Sequence, residues 1–294
     1  TVNRLCASSM TAIHNAAGAI ALDAGKLFIC GGVESMSHVP MVGFNYSPNK
    51  NLENTFPQAY CAWGETAENV ATRYQITKEE QNNFAYSSHM KTVAARKDNK
   101  FAKEIININV NGLDVSEDGC VRPTTSPELL QTLKPAFADN GSVTAGNSSP
   151  LTDGATALLI CSKDYAKDNG LEMLAKIKAF AVHGCEPDYM GLGPIGATKK
   201  ALERSSLTIK DIGIVELNEA FASQSIACVR ELGIDESILN VDGGAIAIGH
   251  PLGATGARIT GKAASLLKRE NVEFALATQC IGSGQGLSTI LEAV

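Results

Sequence analysis

The sequence has little that would suit a membrane protein, a nucleic-acid-binding protein or a disulfide-stabilised secreted domain. No apolar run approaches the roughly 18 residues that a bilayer span needs. Lysine and arginine number 25 against 31 aspartates and glutamates, so the formal net charge is −6 and no basic face is offered to nucleic acid. The eight cysteines are scattered without the paired short spacings of a zinc site, which indicates free thiols in a reducing compartment and no metal centre.

Aromatic residues are also scarce, at 5%, whereas glycines number 27. Small residues at this frequency are typical of an α/β protein in which helices pack closely on a sheet. The chain has 294 residues, of which 44% are hydrophobic, and this is enough for a large buried core and more than one domain.

Hydrophobic periodicity predicts helices that alternate with strands. The predicted helices cover 7–24, 65–74, 78–97, 126–133, 194–204, 219–232 and 254–269. The predicted strands cover 27–30, 174–183, 212–217, 273–278 and 286–292, with a hairpin in 105–125, a buried apolar segment at 153–161 and a tight turn at Gly31-Gly32. Thr77 and Glu80 form a capping box in the sequence. This alternation favours a layered α/β architecture, with the irregular 38–149 stretch as an inserted lobe.

Cys6 stands at the first turn of the predicted helix over 7–24. The positive end of a helix dipole and its unpaired N–H groups favour a thiolate, so we expect the pKa of this cysteine to be lowered. A buried cysteine that merely begins a helix would look the same, and position alone leaves both interpretations open.

His250 lies in a glycine-rich loop between Gly249 and Pro251. A proline pushes the preceding residue out of helical geometry, and the glycines let other backbone segments approach. A histidine held in this way suits acid–base catalysis. The other four histidines have no comparable setting and suit ordinary structural roles: His14, His38, His89 and His183.

Two further positions stand next to predicted strands. Cys280 follows one strand and precedes a glycine-rich stretch, whose backbone N–H groups suit an anion or oxyanion. Asn218 ends another strand and begins a helix, where an ordinary N-cap is the alternative. A formal GxGxxG pattern at 191–196 follows a loop rather than a strand, so it does not indicate a dinucleotide site.

Four motifs together resemble the thiolase family over essentially the whole chain. They are NRLCASSM at 3–10, NEAF at 218–221, GGAIAIGHPLGATGAR at 243–258 and CIG at 280–282, in the order in which the family carries them. Within the family, GVESMSHVPM at 32–41 and CIGSGQG at 280–286 are most similar to the thiolase subunit of the bacterial fatty-acid oxidation complex.

The resemblance implies an acyltransferase that cleaves a 3-ketoacyl-CoA with coenzyme A, giving acetyl-CoA and a shortened acyl-CoA in fatty-acid degradation. Cys6 would be the nucleophile, His250 the base that activates it, and Cys280 the second acid/base. A thiolate that adds to the 3-keto carbon expels the acetyl-CoA enolate, which needs a proton and oxyanion donors. The acyl group would stay on the nucleophile as a thioester until coenzyme A takes it.

The resemblance also implies the groups that bind. Asn218 would hold a water that forms one oxyanion hole with the imidazole, and the backbone N–H groups of Cys6 and Gly282 would form the other. Ser149 and Phe221 match positions that line the pantetheine channel. Coenzyme A would be a co-substrate, with no permanently bound cofactor.

The implied fold is the layered α/β/α/β/α thiolase fold with an inserted loop domain. Residues 1–37 and 150–172 would be the remainder of the N-terminal half, 38–149 the loop domain and 173–294 the C-terminal half. The family carries a substantial segment before the nucleophile, whereas this chain begins at Thr1. We therefore expect the first part of the N-terminal half to be missing, and the chain as given to fold poorly and show little activity.

Two residues depart from the family pattern. Asp242 stands where asparagine is usual, and its carboxylate is expected to raise the pKa of the His250 imidazole. Trp63 stands where methionine is common, and its bulkier ring is expected to reshape the acyl or pantetheine channel.

The resemblance to the family alone implies a homodimer or homotetramer, or a hetero-oligomer with a hydratase–dehydrogenase subunit. It also implies a location in the bacterial cytoplasm, with a mitochondrial or peroxisomal location left open. A biosynthetic acetoacetyl-CoA thiolase and an inactive or merely acyl-CoA-binding fragment remain alternatives. A decarboxylating ketoacyl synthase is less favoured because such enzymes have a second histidine in place of Cys280. A Cys-His-Asn protease would leave this second cysteine without a use.

Overall fold

Two β-sheets of unequal size and a layer of helices between them organise the chain. The computed structural model describes all 294 residues, Thr1–Val294. The helices are α1 Ser8–Ala21, α2 Lys50–Thr55, α3 Trp63–Arg73, α4 Lys78–Lys97, α5 Pro127–Gln131, α6 Lys163–Asp168, α7 Gly193–Ser205, α8 Ala222–Leu232, α9 Ala245–Ile248 and α10 Leu252–Glu270. The strands are β1 Leu27–Ser35, β2 Ile108–Val110, β3 Leu113–Val115, β4 Asp153–Cys161, β5 Lys176–Gly184, β6 Ile214–Leu217, β7 Phe274–Ile281 and β8 Gln285–Glu292.

The larger sheet has the strand order β5-β8-β7-β6. Strands β6 and β7 are parallel, with Leu217 opposite Thr278, whereas the other pairs are antiparallel. Every residue of β7 is buried, as expected for a central strand covered on both faces. Because β6 and β7 run in the same direction, the residues that follow them, Asn218 among them, come out at the same edge as Cys280.

The smaller sheet pairs β1 with β4 in antiparallel register, from Leu27 opposite Cys161 to Ser35 opposite Asp153. The tight turn predicted at Gly31-Gly32 is therefore wrong, because β1 runs straight through both glycines. Their small size allows close packing instead: a Cβ on Gly32 would lie 1.9 Å from the carbonyl oxygen of Gly253. The glycines let the start of α10 rest directly on the strand.

Helices α1 and α10 lie between the two sheets. α10 contacts β1 and β4 on one side and β6 and β7 on the other, and α1 packs along it. Met10 and Ile13 of α1, with Ile259 and Leu266 of α10, are completely buried in this layer. Helix α7 covers the far face of the larger sheet. The outward face of the smaller sheet carries exposed apolar side chains: Ile29, Val33 and Leu159.

The segment over 38–149 holds the helices α2 to α5 and the small β2–β3 hairpin. Its helices α3 and α4 pack on α8, α9 and the turn that precedes α7. The predicted capping box is confirmed, since the Glu80 N–H donates to Thr77 Oγ1 at 3.2 Å and the Thr77 N–H donates to a Glu80 carboxylate oxygen at 2.7 Å. None of the helices combines the length and apolar composition that a bilayer span needs.

Several predicted boundaries move. The hairpin predicted in 105–125 is confined to Ile108–Val115, and the 153–161 segment is a strand with alternate residues exposed. The helix predicted from 219 begins only at Ala222. Asn218 is therefore not a helix N-cap, and its side chain is free for another use.

Candidate active site

Cys6 lies in a one-turn 3₁₀ segment, Leu5–Ala7, immediately before α1. Leu5 has φ +48°, in the left-handed region that costs a branched side chain about 1–2 kcal/mol. Ser8 holds this conformation: its hydroxyl donates to the Leu5 carbonyl at 2.7 Å and accepts from the Arg4 N–H at 2.9 Å. The strained turn directs the Cys6 side chain inward, where the residue is only 3% exposed.

Burial controls the charge of this thiol. It raises the pKa of Cys6 to about 11, although the N–H groups of Gly282 and of Cys6 itself act in the opposite direction, and Glu34 adds a further upward push. The predicted lowering of this pKa is therefore wrong for the resting protein. The helix begins two residues later, at Ser8, and desolvation outweighs the N–H groups that face the sulfur.

Cys280 is completely buried in β7. Burial raises its pKa far above the usual range, and the thiols of Cys6, Cys228 and Cys185 raise it further. The Leu5–Ala7 turn, which carries Cys6, packs on β7, which carries Cys280, so the two thiols lie in the same region of the fold although they are far apart in the sequence. With Gly282, whose N–H faces the Cys6 sulfur, they make up what we call the sulfur cluster.

His250 is buried and uncharged. Burial lowers its pKa to about 3, and the positive charge of Arg258 contributes to the same shift. Its Nδ1 lies 2.7 Å from Thr255 Oγ1, and that hydroxyl lies 3.0 Å from the Pro251 carbonyl oxygen, to which it donates. The Thr255 hydroxyl must then accept from Nδ1–H, which leaves the lone pair on Nε2. A second threonine fixes the loop, since the His250 N–H donates to Thr152 Oγ1 at 3.2 Å.

Sequence reasoning missed both threonines. Thr255 stands in the first turn of α10, five residues after the histidine, and this spacing was the available signal. Thr152 comes from a distant part of the chain and carries no local signal.

Asn218 joins the imidazole to the edge of the larger sheet. Its backbone N–H donates to the Thr278 carbonyl at 2.9 Å, and its Nδ2 lies 3.3 Å from His250 Nε2. Its Oδ1 is buried without a hydrogen-bond partner. A buried amide oxygen left in this state costs about 1–3 kcal/mol and usually marks a place for a bound group or water. Asn218, His250 and Thr255 form what we call the imidazole cluster.

The two clusters stand on segments that contact each other. The Leu5–Ala7 turn packs on α10 and on β7, and α10 packs on β6 and β7. No hydrogen bond joins the Cys6 thiol to His250. The arrangement is therefore two adjacent, uncharged sets of groups, buried away from water at one edge of the sheet.

Ser149 and Phe221 lie beside Asn218. Ser149 donates to the carbonyl of Ala220 through both its N–H, at 3.0 Å, and its hydroxyl, at 3.1 Å. The half-buried ring of Phe221 meets Phe137 edge to face, with the ring centroids 5.9 Å apart. These contacts form a partly aromatic wall next to the NEAF segment.

Asp242 does not act on the imidazole, so that expectation is wrong. Burial alone would raise the pKa of Asp242, but hydrogen bonds from Arg269 and Lys262 outweigh it and leave the pKa below its usual range. The carboxylate lies 2.9 Å from an Arg269 nitrogen and 2.6 Å from Lys262 Nζ. Its charge is satisfied there, and the pKa of His250 is lowered rather than raised.

Trp63, the other departure, lies at the sulfur cluster. An added Cβ on Gly282 would lie 2.9 Å from Cε2 of the indole ring. The ring therefore rests on the glycine whose N–H faces the Cys6 sulfur.

The glycines of the formal GxGxxG pattern serve packing. A Cβ on Gly193 would lie 2.2 Å from the Gln285 carbonyl oxygen, and one on Gly196 would overlap the ring of His183. A cavity of about 290 Å³ opens elsewhere, between α4 and α8, and neither Cys6 nor Cys280 lines it. All eight cysteines are free, and no group of three or more His, Cys, Asp and Glu side chains is arranged to hold a metal ion.

Known protein families match nearly the whole chain. Residues 1–164 match the family described as the N-terminal domain of thiolase, and residues 171–293 match its C-terminal domain. The 3-ketoacyl-CoA thiolase of Pseudoalteromonas translucida is 47% identical over 305 residues, which cover all of this chain and 78% of that protein. The 3-ketoacyl-CoA thiolase of Bacillus subtilis is 44% identical over 99% of this chain and 78% of its own length.

Solved structures agree in shape. Human mitochondrial 3-ketoacyl-CoA thiolase in complex with CoA superposes with a TM-score of 0.92 at 38% identity, covering all of this chain and 78% of that one. The acetyl-CoA acetyltransferase of Bacillus anthracis superposes with a TM-score of 0.90 at 37% identity, with the same coverage.

Proposed function

Because the chain belongs to the thiolase family, we propose that it is a 3-ketoacyl-CoA thiolase, an acyltransferase of fatty-acid degradation. It cleaves a 3-ketoacyl-CoA with coenzyme A and yields acetyl-CoA and a shortened acyl-CoA. The observation that supports the proposal is the packing of the turn that carries Cys6 on β7, the strand that carries Cys280, with the N–H of Gly282 facing the Cys6 sulfur. Two buried thiols with separate tasks are what this reaction needs.

The first step begins with a neutral Cys6 thiol and a neutral His250 imidazole. The Cys6 thiol loses its proton to Nε2 of His250 as its sulfur bonds to the 3-keto carbon. The Nδ1–H bond to Thr255 keeps that lone pair available and stabilises the imidazolium that forms. When the tetrahedral centre collapses, the C2–C3 bond breaks and its electron pair passes to the acetyl-CoA enolate. The acyl group remains on Cys6 as a thioester.

Cys280 completes the proton transfers. Its thiol protonates C2 of the enolate, and the resulting thiolate then accepts the proton of the incoming coenzyme A thiol. The coenzyme A sulfur bonds to the acyl carbon, and the Cys6 sulfur leaves with the electron pair of the broken thioester bond and takes back its proton from the His250 imidazolium. The raised pKa of Cys280 suits a group that must hold its proton until an enolate forms.

We assign two oxyanion sites to these groups. The N–H groups of Gly282 and Cys6, which face the sulfur, stabilise the oxygen of the acyl carbon. The unpartnered Oδ1 of Asn218 accepts from a water, and this water with His250 stabilises the enolate oxygen.

Coenzyme A enters as a co-substrate, and its pantetheine arm lies along Ser149 and Phe221 at the partly aromatic wall. No permanently bound cofactor takes part. The proposed division of the chain keeps 1–37 and 150–172 as the N-terminal half, 38–149 as the loop domain and 173–294 as the C-terminal half of a layered α/β/α/β/α fold. A homodimer, a homotetramer or an assembly with a hydratase–dehydrogenase subunit, in the cytoplasm, is part of the same proposal.

The test is a thiolysis assay on the full-length protein with acetoacetyl-CoA and coenzyme A, following loss of the 3-ketoacyl thioester. Cys6→Ser is expected to abolish turnover. Cys30→Ser is the matched control, because Cys30 is also a buried thiol but hydrogen-bonds only to the Ala12 carbonyl at 3.5 Å. Equal activity of both variants would contradict the role given to Cys6, and absence of thiolysis in the unaltered protein would contradict the function.

A biosynthetic acetoacetyl-CoA thiolase uses the same groups in the reverse direction. The position of Trp63 at the sulfur cluster is the observation that favours it, because such an enzyme handles only a short acyl group.

A further inference from the structure

Two apolar side chains from different parts of the chain cover Gly282. An added Cβ there would lie 2.9 Å from Cε2 and Cζ2 of Trp63, in α3, and 2.9 Å from Cδ1 of Leu5, in the strained turn. We call these two side chains the acyl wall. In the proposed reaction the acyl oxygen is held by the N–H groups of Gly282 and Cys6. The first carbons of the acyl chain must then lie next to this wall.

The tryptophan side of the wall is firmly positioned. Trp63 is the first residue of α3, where the Ala62 N–H donates to a Glu65 carboxylate oxygen at 3.3 Å and Thr66 Oγ1 donates to the Trp63 carbonyl at 2.6 Å. These hydrogen bonds fix the end of the helix that carries the indole ring.

The far end of α3 is tied to the C-terminal half. Arg73 lies 2.8 Å from Glu186 and stacks 3.3 Å above the ring of Tyr189, and Asn69 donates to the Asp188 carbonyl at 3.0 Å. These contacts oppose an outward swing of the helix that would make room for a long acyl chain.

The leucine side is held by the backbone. The left-handed conformation of Leu5 is fixed by Ser8, and relaxing it would also displace Cys6. The backbone that carries this leucine is therefore fixed together with Cys6.

Trp63 is not a fully enclosed core residue. It is only partly buried, although its ring contacts Gly282. One part of the residue therefore rests on the sulfur cluster, and another part remains accessible to solvent.

We propose that the acyl wall of Trp63 and Leu5 restricts the enzyme to 3-ketoacyl-CoA substrates with short, unbranched acyl groups. The inference depends on the proposed thiolase reaction, since it specifies the substrate class of the same site. It makes Trp63 a specificity-determining residue: the ring leaves room for an acetyl or similar group on Cys6 and obstructs longer chains.

The first experiment measures kcat/KM of the full-length protein for acetoacetyl-CoA, 3-ketohexanoyl-CoA and 3-ketodecanoyl-CoA. One methylene in an apolar pocket changes discrimination by about tenfold or more. We therefore expect the unaltered protein to prefer acetoacetyl-CoA over 3-ketodecanoyl-CoA by at least that factor. Trp63→Met and Trp63→Ala are expected to shift this ratio by about tenfold or more towards the long substrate. Phe44→Ala is the control, because Phe44 is 79% exposed and outside the wall, and it should leave the ratio unchanged.

A second measurement does not depend on turnover. Trp63 is the only tryptophan of the chain, so its fluorescence reports on the acyl wall alone. Acylation of Cys6 by acetoacetyl-CoA should change the intensity or wavelength of the emission, and Cys6→Ser should abolish this change. This readout remains available if the Trp63 variants fail to fold.

The outcomes distinguish failure of the acyl wall from failure of the proposed function. If no substrate of any chain length is cleaved, the proposed function is wrong. If acetoacetyl-CoA is cleaved but 3-ketodecanoyl-CoA is cleaved equally well, or the Trp63 variants keep the original ratio, the acyl wall is refuted and the proposed function stands. Fluorescence that does not respond to acylation of Cys6 would refute the wall as well.

Discussion

Replacing His250 with asparagine should convert acylation of Cys6 from a reaction that is insensitive to pH into one that depends steeply on it. The reason lies in the two resting protonation states. Burial raises the pKa of Cys6 to about 11, whereas burial with Arg258 lowers the pKa of His250 to about 3. Between these values the pair is a neutral thiol and a neutral imidazole. At pH 7 a thiol with such a pKa is ionised in only about one molecule in ten thousand.

The unaltered protein avoids this low fraction because His250 removes the proton during attack. General-base catalysis is worth about 10²–10⁴-fold, so His250→Asn should slow acylation at pH 7 by that factor. In the variant the rate must follow the thiolate fraction and rise about tenfold per pH unit until the pKa of Cys6 is reached. The unaltered protein should show a flat profile from pH 6 to pH 9, because the imidazole is neutral throughout this range.

The assay is single-turnover acylation by acetoacetyl-CoA over that pH range. His89→Asn is the control, because burial also lowers the pKa of His89, to about 4. This histidine lies in α4, accepts a hydrogen bond from the Arg122 N–H and belongs to neither cluster. A flat profile in His250→Asn would refute the reasoning. So would thiolate absorbance in the unaltered protein at pH 7 that Cys6→Ser removes, because it would show a resting ion pair.

Three further predictions concern stability and can be measured by chemical denaturation. Gly32→Ala should destabilise the fold by about 1–3 kcal/mol and impair activity, because the added Cβ would meet the backbone of Gly253 beside the loop that carries His250. Gly18→Ala is the control and should not destabilise the fold, because a Cβ on this residue of α1 would have no neighbour within 4 Å. Asp242→Ala should cost about 1–3 kcal/mol, because the buried Lys262 loses one of its two carboxylate partners and keeps Glu104, while Arg269 keeps Glu270. An unchanged midpoint would contradict this. Burial lowers the pKa of His14 to about 3, so the stabilisation that the neutral imidazole provides is complete above about pH 6.5 and is lost as the pH falls towards 3. His14→Gln should therefore make the free energy of unfolding less sensitive to acid, by up to about 1.4 kcal/mol per pH unit.

Much of the fold could be predicted from the sequence because its signals are local. Amphipathic periodicity predicts α10 and the strands of the larger sheet, and the Thr77–Glu80 pair marks the start of α4 correctly. The error at Gly31-Gly32 arises because glycine has two uses. It permits tight turns, but here it permits the close approach of another segment, and only the fold reveals which use applies.

The electrostatics of the site could not be predicted in the same way. Position at a helix start favours a low pKa for Cys6, but burial inside the fold raises it, although the N–H of the distant Gly282 opposes that rise. Asp242 is eight positions from His250 in the sequence, yet its side chain meets Lys262 and Arg269 of α10 instead. Charge effects depend on distances in space, and proximity in sequence was misleading for both.

The residues of the candidate site could be predicted from the sequence, but their arrangement in space could not. Motifs indicate Cys6, His250, Cys280 and Asn218. They do not indicate that Thr255 fixes the tautomer of the imidazole, because a threonine in a helix usually serves packing.

The most direct test of the account is to trap the acyl-enzyme in Cys280→Ser. The full-length variant is mixed with acetoacetyl-CoA without free coenzyme A, quenched with acid and digested, and the modified peptide is located by mass spectrometry. The account predicts an acetyl thioester on Cys6, formed in this variant and released slowly when coenzyme A is added. An acetyl group on any other cysteine, or full turnover by the variant, would contradict the division of labour between the two thiols.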